Sequence, residues 1–165
     1  MTRMIILLVG VLSTSQVFAQ FLTPRYTESL HGSAIFLEVG GNGDHYSLNF
    51  DNLFVKGEWM GASARFGLSA MPVGEEEIDF SIPITVSGLI GKKFLLAEIG
   101  AGSTFLFDTR ILETGTQTLG TGILGIRYHP TGPGGIFLKA AYTPFYNFDQ
   151  QTIRHHGGFA IGLGI

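Results

Sequence analysis

Apolar residues alternate with small or polar ones along most of the chain, the period of a β-strand, in which successive side chains point to opposite faces. The longest case runs from Phe80 to Phe107. Gly91-Lys92 at its centre has the chemistry of a two-residue type II′ turn. That turn predicts Ile90 opposite Lys93, Gly88 opposite Leu95, Val86 opposite Ala97 and Ile84 opposite Ile99 on one face, with Thr85 opposite Glu98 on the other. Both arms then agree on which face is apolar, and a slip of one residue would destroy the agreement.

The same period predicts strands over 33–41, 45–54, 58–71, 119–129, 136–146 and 155–165, with Ile123 interrupting the pattern of the fourth of these. Gly41-Asn42-Gly43-Asp44 reads as a tight hairpin turn. Later connections are short at one end, and at the other the loops are Pro72 to Asp79, Asp108 to Thr118 and Asn147 to Arg154. The count is eight strands. Pro83 and Pro144 fall inside strands, where a missing N–H predicts a bulge or a strand end near the rim.

One face carries nearly all the Leu, Ile and Val. The other carries Gly, Ser and Thr together with Glu38, Asp51, Arg65, Glu98, Arg127 and Lys139, three acids and three bases. A soluble eight-stranded barrel holds its apolar face inside, and a membrane barrel reverses this. Arms longer than the ~5–6 residues usual in strands, and near the ~9–11 that a tilted strand needs to cross a bilayer, select the second arrangement. The predicted fold is therefore all-β, an eight-stranded antiparallel up-and-down transmembrane β-barrel. Its six charges form a neutral network in a lumen just wide enough for side chains. Tyr46, Phe80, Phe105, Phe107 and Tyr146 near the long loops, and Phe54 and Tyr128 near the short turns, have the placing of aromatic girdles.

Composition agrees. Of the 165 residues 45% are hydrophobic and only 14% charged, and the 24 glycines are about twice the ordinary share. The net charge of -3, with no basic cluster, excludes a nucleic-acid partner, and the absence of cysteine excludes disulfides, thiolate chemistry and lipid attachment through a cysteine. At the amino terminus a basic start at Arg3, an apolar run from Ile5 to Leu12 and a small-residue exit ending Val17-Phe18-Ala19 predict a signal peptide over 1–19. Residues 20–32 read as a periplasmic lead-in and 33–165 as the barrel.

Several stretches resemble small outer-membrane β-barrel proteins of the Bacteroidetes type: Glu38-Val39-Gly40-Gly41-Asn42-Gly43, Tyr46-Ser47-Leu48-Asn49-Phe50-Asp51, Ser81-Ile82-Pro83-Ile84, Gly91-Lys92-Lys93, Glu98-Ile99-Gly100-Ala101-Gly102 and Tyr142-Thr143-Pro144. The architecture also resembles the membrane domain of OmpA. The resemblance implies outer-membrane location, with membrane lipids and the barrel-assembly machinery as partners. The aromatic residue with which such barrels usually end is replaced here by Ile165.

Candidate chemistry is sparse, and no cofactor is implied. Gly120-Thr121-Gly122-Ile123-Leu124-Gly125 matches G-x-G-x-x-G but lies inside a strand, where a dinucleotide fingerprint would have to open a helix. Glu75-Glu76-Glu77 with Asp79 reads as a solvated acidic loop rather than a cation site, and His155-His156 as a loop-end pair whose members point apart. The leading expectation is a structural or adhesive barrel acting through its external loops. Others are a transporter or binder of small apolar compounds using Phe36, Leu96 and Phe137, a rim enzyme using Ser103, Asp108, His155 and His156, and a secreted lipocalin-like barrel.

Overall fold

A computed structural model describes residues 30, 32–57, 59–72, 78–92, 94–107 and 116–165. The expected signal peptide, most of the lead-in, the triplet Glu75 to Glu77 and Asp108 fall outside the described residues. Ten strand segments follow one another: β1 (Ser33–Gly40), β2 (Tyr46–Lys56), β3 (Met60–Pro72), β4 (Ile78–Lys92), β5 (Leu95–Phe107), β6 (Thr116–Tyr128), β7 (Ile136–Tyr142), β8 (Phe145–Asn147), β9 (Thr152–Arg154) and β10 (Gly157–Gly164). Consecutive strands pair antiparallel from β1 to β7, and β10 pairs with both β7 and β1, which closes the sheet. Since β7 and β8 share one stave and β9 and β10 another, the architecture is a closed eight-stranded antiparallel β-barrel.

The faces follow the period-two phase. Leu37 on β1 is 61% exposed, as are its neighbours in register, Leu48 on β2 at 52% and Ile161 on β10 at 55%. Glu38, the next residue, is 1% exposed. Apolar side chains thus cover the outside of the barrel on every stave, and the charged strand residues point into it among polar and some apolar neighbours. An apolar surface that continues around the molecule is far larger than the few hundred Å² a soluble monomer tolerates.

Four local expectations are corrected. The central hairpin keeps the predicted faces but slides by four residues: Ile84 pairs with Ser103, Val86 with Ala101 and Ile90 with Ala97, so the connection is 93–94. Gly91 is a strand residue, not a turn residue. A Cβ there would lie 2.4 Å from the Leu95 carbonyl oxygen, so its missing side chain allows close strand approach rather than a reversal.

Pro83 makes neither a bulge nor a strand end. The β3–β4 register is the same on both sides of it, from Phe66 opposite Ile84 to Ser69 opposite Ser81, and only the ladder between them is interrupted. Its ring sits over Gly67, where a Cβ would lie 2.9 Å from Pro83 Cγ. Pro144 does end a strand, separating β7 from β8, so the single strand expected over 136–146 is broken and the loop expected over 147–154 holds the turn and second arm of the β8–β9 hairpin. Ile123 does not interrupt the alternation, because it is a lumen residue, 3% exposed and in phase with Thr121 and Arg127.

Candidate functional site

Because each of the six charged residues occupies a lumen position on its strand, the barrel brings together groups as far apart in sequence as Asp51 and Arg127. Glu38 lies on β1, Asp51 on β2, Arg65 on β3, Glu98 on β5, Arg127 on β6 and Lys139 on β7, none more than 3% exposed. Around Glu98, Arg127 donates from Nε at 3.0 Å and its Nη2 lies at 2.7 Å, Lys139 Nζ donates at 3.1 Å and Ser87 Oγ at 2.7 Å. Arg127 Nη1 also donates to Asp51 Oδ1 at 3.1 Å, and Ser63 Oγ donates to the other Asp51 oxygen at 3.2 Å. On the opposite wall Arg65 Nη1 reaches both Glu38 oxygens, at 3.1 and 3.2 Å, while its Nε donates to Thr85 Oγ1 at 3.3 Å. Arg127 and Lys139 are direct cross-strand neighbours, two like charges held apart by the carboxylate they share.

Above this layer the β1–β2 connection departs from the expected hairpin turn. Gly41–Gly43 forms a single 3-10 turn that folds into the barrel mouth, with Gly41, Asn42 and Gly43 all buried. The Asn42 side chain accepts from Arg65 Nη2 and donates to Thr121 Oγ1, and its carbonyl accepts from Thr104 Oγ1 at 2.8 Å. The Gly43 carbonyl accepts from Ser69 and Ser81 at 2.7 and 3.2 Å. The turn is therefore pinned by β3, β4, β5 and β6. Glycine is required for the descent: a Cβ on Gly41, whose φ is +68°, would lie 2.4 Å from the Glu38 carboxyl carbon.

Below the charges the lumen turns apolar. Phe36 and Phe137 stack with centroids 4.5 Å apart, and Arg65 and Arg127 lie over their outer faces at 5.9 and 5.7 Å. Leu53, Leu89 and Leu96 form a second cluster, against which Leu30 packs. The residues that the apolar-ligand expectation relied on, Phe36, Leu96 and Phe137, are thus packed against other lumen side chains.

At the long-loop rim the residues of the enzyme expectation lie in separate contacts. The His155 ring stacks on Tyr142 and exchanges a hydrogen bond with its hydroxyl, outside the barrel. His156 Nδ1 turns the other way, 3.2 Å from Asp44 Oδ1, with its ring edge-on to Phe145. Ser103 is a β5 residue paired with Ile84 and Gly120. Among the described residues no group of three or more His, Asp or Glu is arranged to hold a metal ion.

No protein-family profile and no curated protein matches the chain. Among solved structures, the N-terminal β-barrel domain of Pseudomonas aeruginosa OprF is similar with a TM-score of 0.54 and 13% identity, over 82% of this chain and 97% of that one. Ail, the attachment invasion locus protein of Yersinia pestis, aligns with a TM-score of 0.44 and 16% identity, over 81% and 92%. The OprF likeness shows the fold. This chain has the eight-stranded barrel fold of the outer-membrane type.

Proposed function

We propose that the protein is an integral outer-membrane barrel with a side-chain-filled lumen, exported by its signal peptide and inserted by the barrel-assembly machinery, whose role is structural or adhesive through its external loops. The observation that carries this reading is the inversion of faces: Leu37 is exposed while its neighbour Glu38 is buried and ion-paired. In water the outward band would stay hydrated at a cost of about 25 cal/mol per Å², whereas in a bilayer it meets lipid. The lumen layers, from the Asn42 turn through the ion pairs to the Phe36–Phe137 stack, leave the barrel no role as a wide pore. Of the external loops, the β8–β9 hairpin presents contact chemistry. Phe148 at its tip is 57% exposed and meets Tyr146 edge-on, with Ile153 beside them at 60%.

Transport of small apolar compounds is the weaker reading, because Phe36 and Phe137 fill the space between them. The test is fractionation of cells making the full chain, with boiled and unboiled samples compared on a detergent gel. Recovery in the outer-membrane fraction, loss of residues 1–19 and a heat-dependent change in mobility are expected. A soluble periplasmic protein with no such shift sinks the proposal.

A further inference from the structure

The barrel has an uneven charge along its axis. Among the described residues its long-loop end, 44–45, 79 and 148–156, carries Asp44, Asp79 and Asp149 against Arg154, a formal -2. Among the described residues its short-turn end, 56–57, 59, 91–92, 94 and 129–135, carries Lys56 and Lys92 and no Asp or Glu, a formal +2. At that end Lys92 continues the outward face of β4 one step beyond Ile90, and its cross-strand partner is Leu95 rather than an acid. Its Nζ lies 3.7 Å from the centroid of the Trp59 ring. The Gly91 N–H donates to the Trp59 carbonyl at 3.0 Å, which fastens Trp59 beside Lys92. Trp59 is 55% exposed, and Phe94 and Tyr128, rings 4.9 Å apart, continue the aromatic belt on the next staves.

We propose that Lys92 seated on Trp59 is a headgroup site for an anionic phospholipid of the inner leaflet of the outer membrane. The proposal rests on the membrane reading above, since short turns of such barrels face the periplasm. The ring covers one side of the ammonium and no carboxylate among the described residues neutralises it, so its remaining N–H groups point to a phosphate at headgroup depth. The indole N–H supplies a second donor at the same level. Net positive charge at this end selects an anionic lipid over a zwitterionic one.

Trp59 is the single tryptophan of the chain and reports on its own neighbourhood. The full chain is refolded into phosphatidylcholine vesicles containing equal fractions of either brominated phosphatidylglycerol or brominated phosphatidylcholine, and quenching of Trp59 is compared. Preference for the brominated phosphatidylglycerol of roughly fivefold is expected, from about 1 kcal/mol per lysine near an anionic surface. It should fall towards one in Lys92→Gln and at high salt, and persist in Lys92→Arg. Insertion with equal quenching, or a preference that survives Lys92→Gln, overturns the proposal alone. A chain that stays in the aqueous phase overturns the membrane reading and this proposal with it.

Discussion

Arg127 holds both oxygens of Glu98 in a two-pronged contact, Nε at 3.0 Å from one and Nη2 at 2.7 Å from the other, with both side chains 1% exposed. Such a pair offsets the cost of burying two charges only while both partners are present. Glu98→Ala removes the carboxylate of Lys139 and leaves Arg127 with Asp51 alone, and is expected to cost about 3–5 kcal/mol. Replacing Glu98 and Arg127 together by apolar residues of similar size costs much less than the sum. Urea titration of the refolded barrel, followed by heat-dependent mobility, measures both. Additive losses in the double variant would refute a coupled network.

The cap at the barrel mouth depends on one side chain. Asn42→Ala removes the acceptor of Arg65 Nη2 and the donor to Thr121. Leaving buried groups without partners is expected to cost about 1–3 kcal/mol. Amide hydrogen exchange at Gly41 to Asp44 should rise well before exchange in β3 or β4. Uniform acceleration across the barrel would mean that the turn has no separate stability.

Close strand approach makes a third test. A Cβ on Gly102 would lie 2.1 Å from the Ile84 carbonyl oxygen and 2.7 Å from Thr85 Cα, both backbone atoms, whereas one on Gly132 meets nothing within 4 Å. Gly102→Ala is expected to destabilise the barrel by about 1–3 kcal/mol through overcrowding. Gly132→Ala should stay within roughly 0.5 kcal/mol of the parent. Equal unfolding midpoints for the two variants would contradict the packing argument.

How much of this was legible beforehand follows from the kind of signal each feature leaves. Period-two phase places a residue on a face whatever its register, so the alternation alone assigns Glu38, Asp51, Arg65, Glu98, Arg127 and Lys139 to the lumen face. Register depends on the turn, and Gly91 is ambiguous between a turn glycine and a close-approach glycine. Four residues of slide in the central hairpin therefore left the faces intact while changing every partner, so that Thr85 pairs with Gly102 rather than Glu98. Gly41 to Gly43 hid its role for a related reason, since glycine and asparagine suit both an outward hairpin and an inward turn. The apolar base left a readable signal. Leu53, Leu89 and Leu96 are large apolar residues in lumen phase, all near short-turn ends, and the pattern of a closed base was there to be found.

The faces themselves give the test that separates a membrane barrel from a soluble one. Leu37 is flanked in register by Leu48 and Ile161, all three directed outward and exposed. If this band faces lipid, Leu37→Arg places a charge at hydrocarbon depth, and a cost of about 2–4 kcal/mol is expected near the midplane. If the band faced water, the same arginine would be solvated at little cost and would raise solubility. Refolding into vesicles and measuring the urea midpoint distinguishes the two, with Leu37→Ala as the control for lost side-chain contacts. An arginine variant as stable as the alanine variant would mean that no hydrocarbon surrounds β1, and the barrel would then need another apolar partner to cover its outer face.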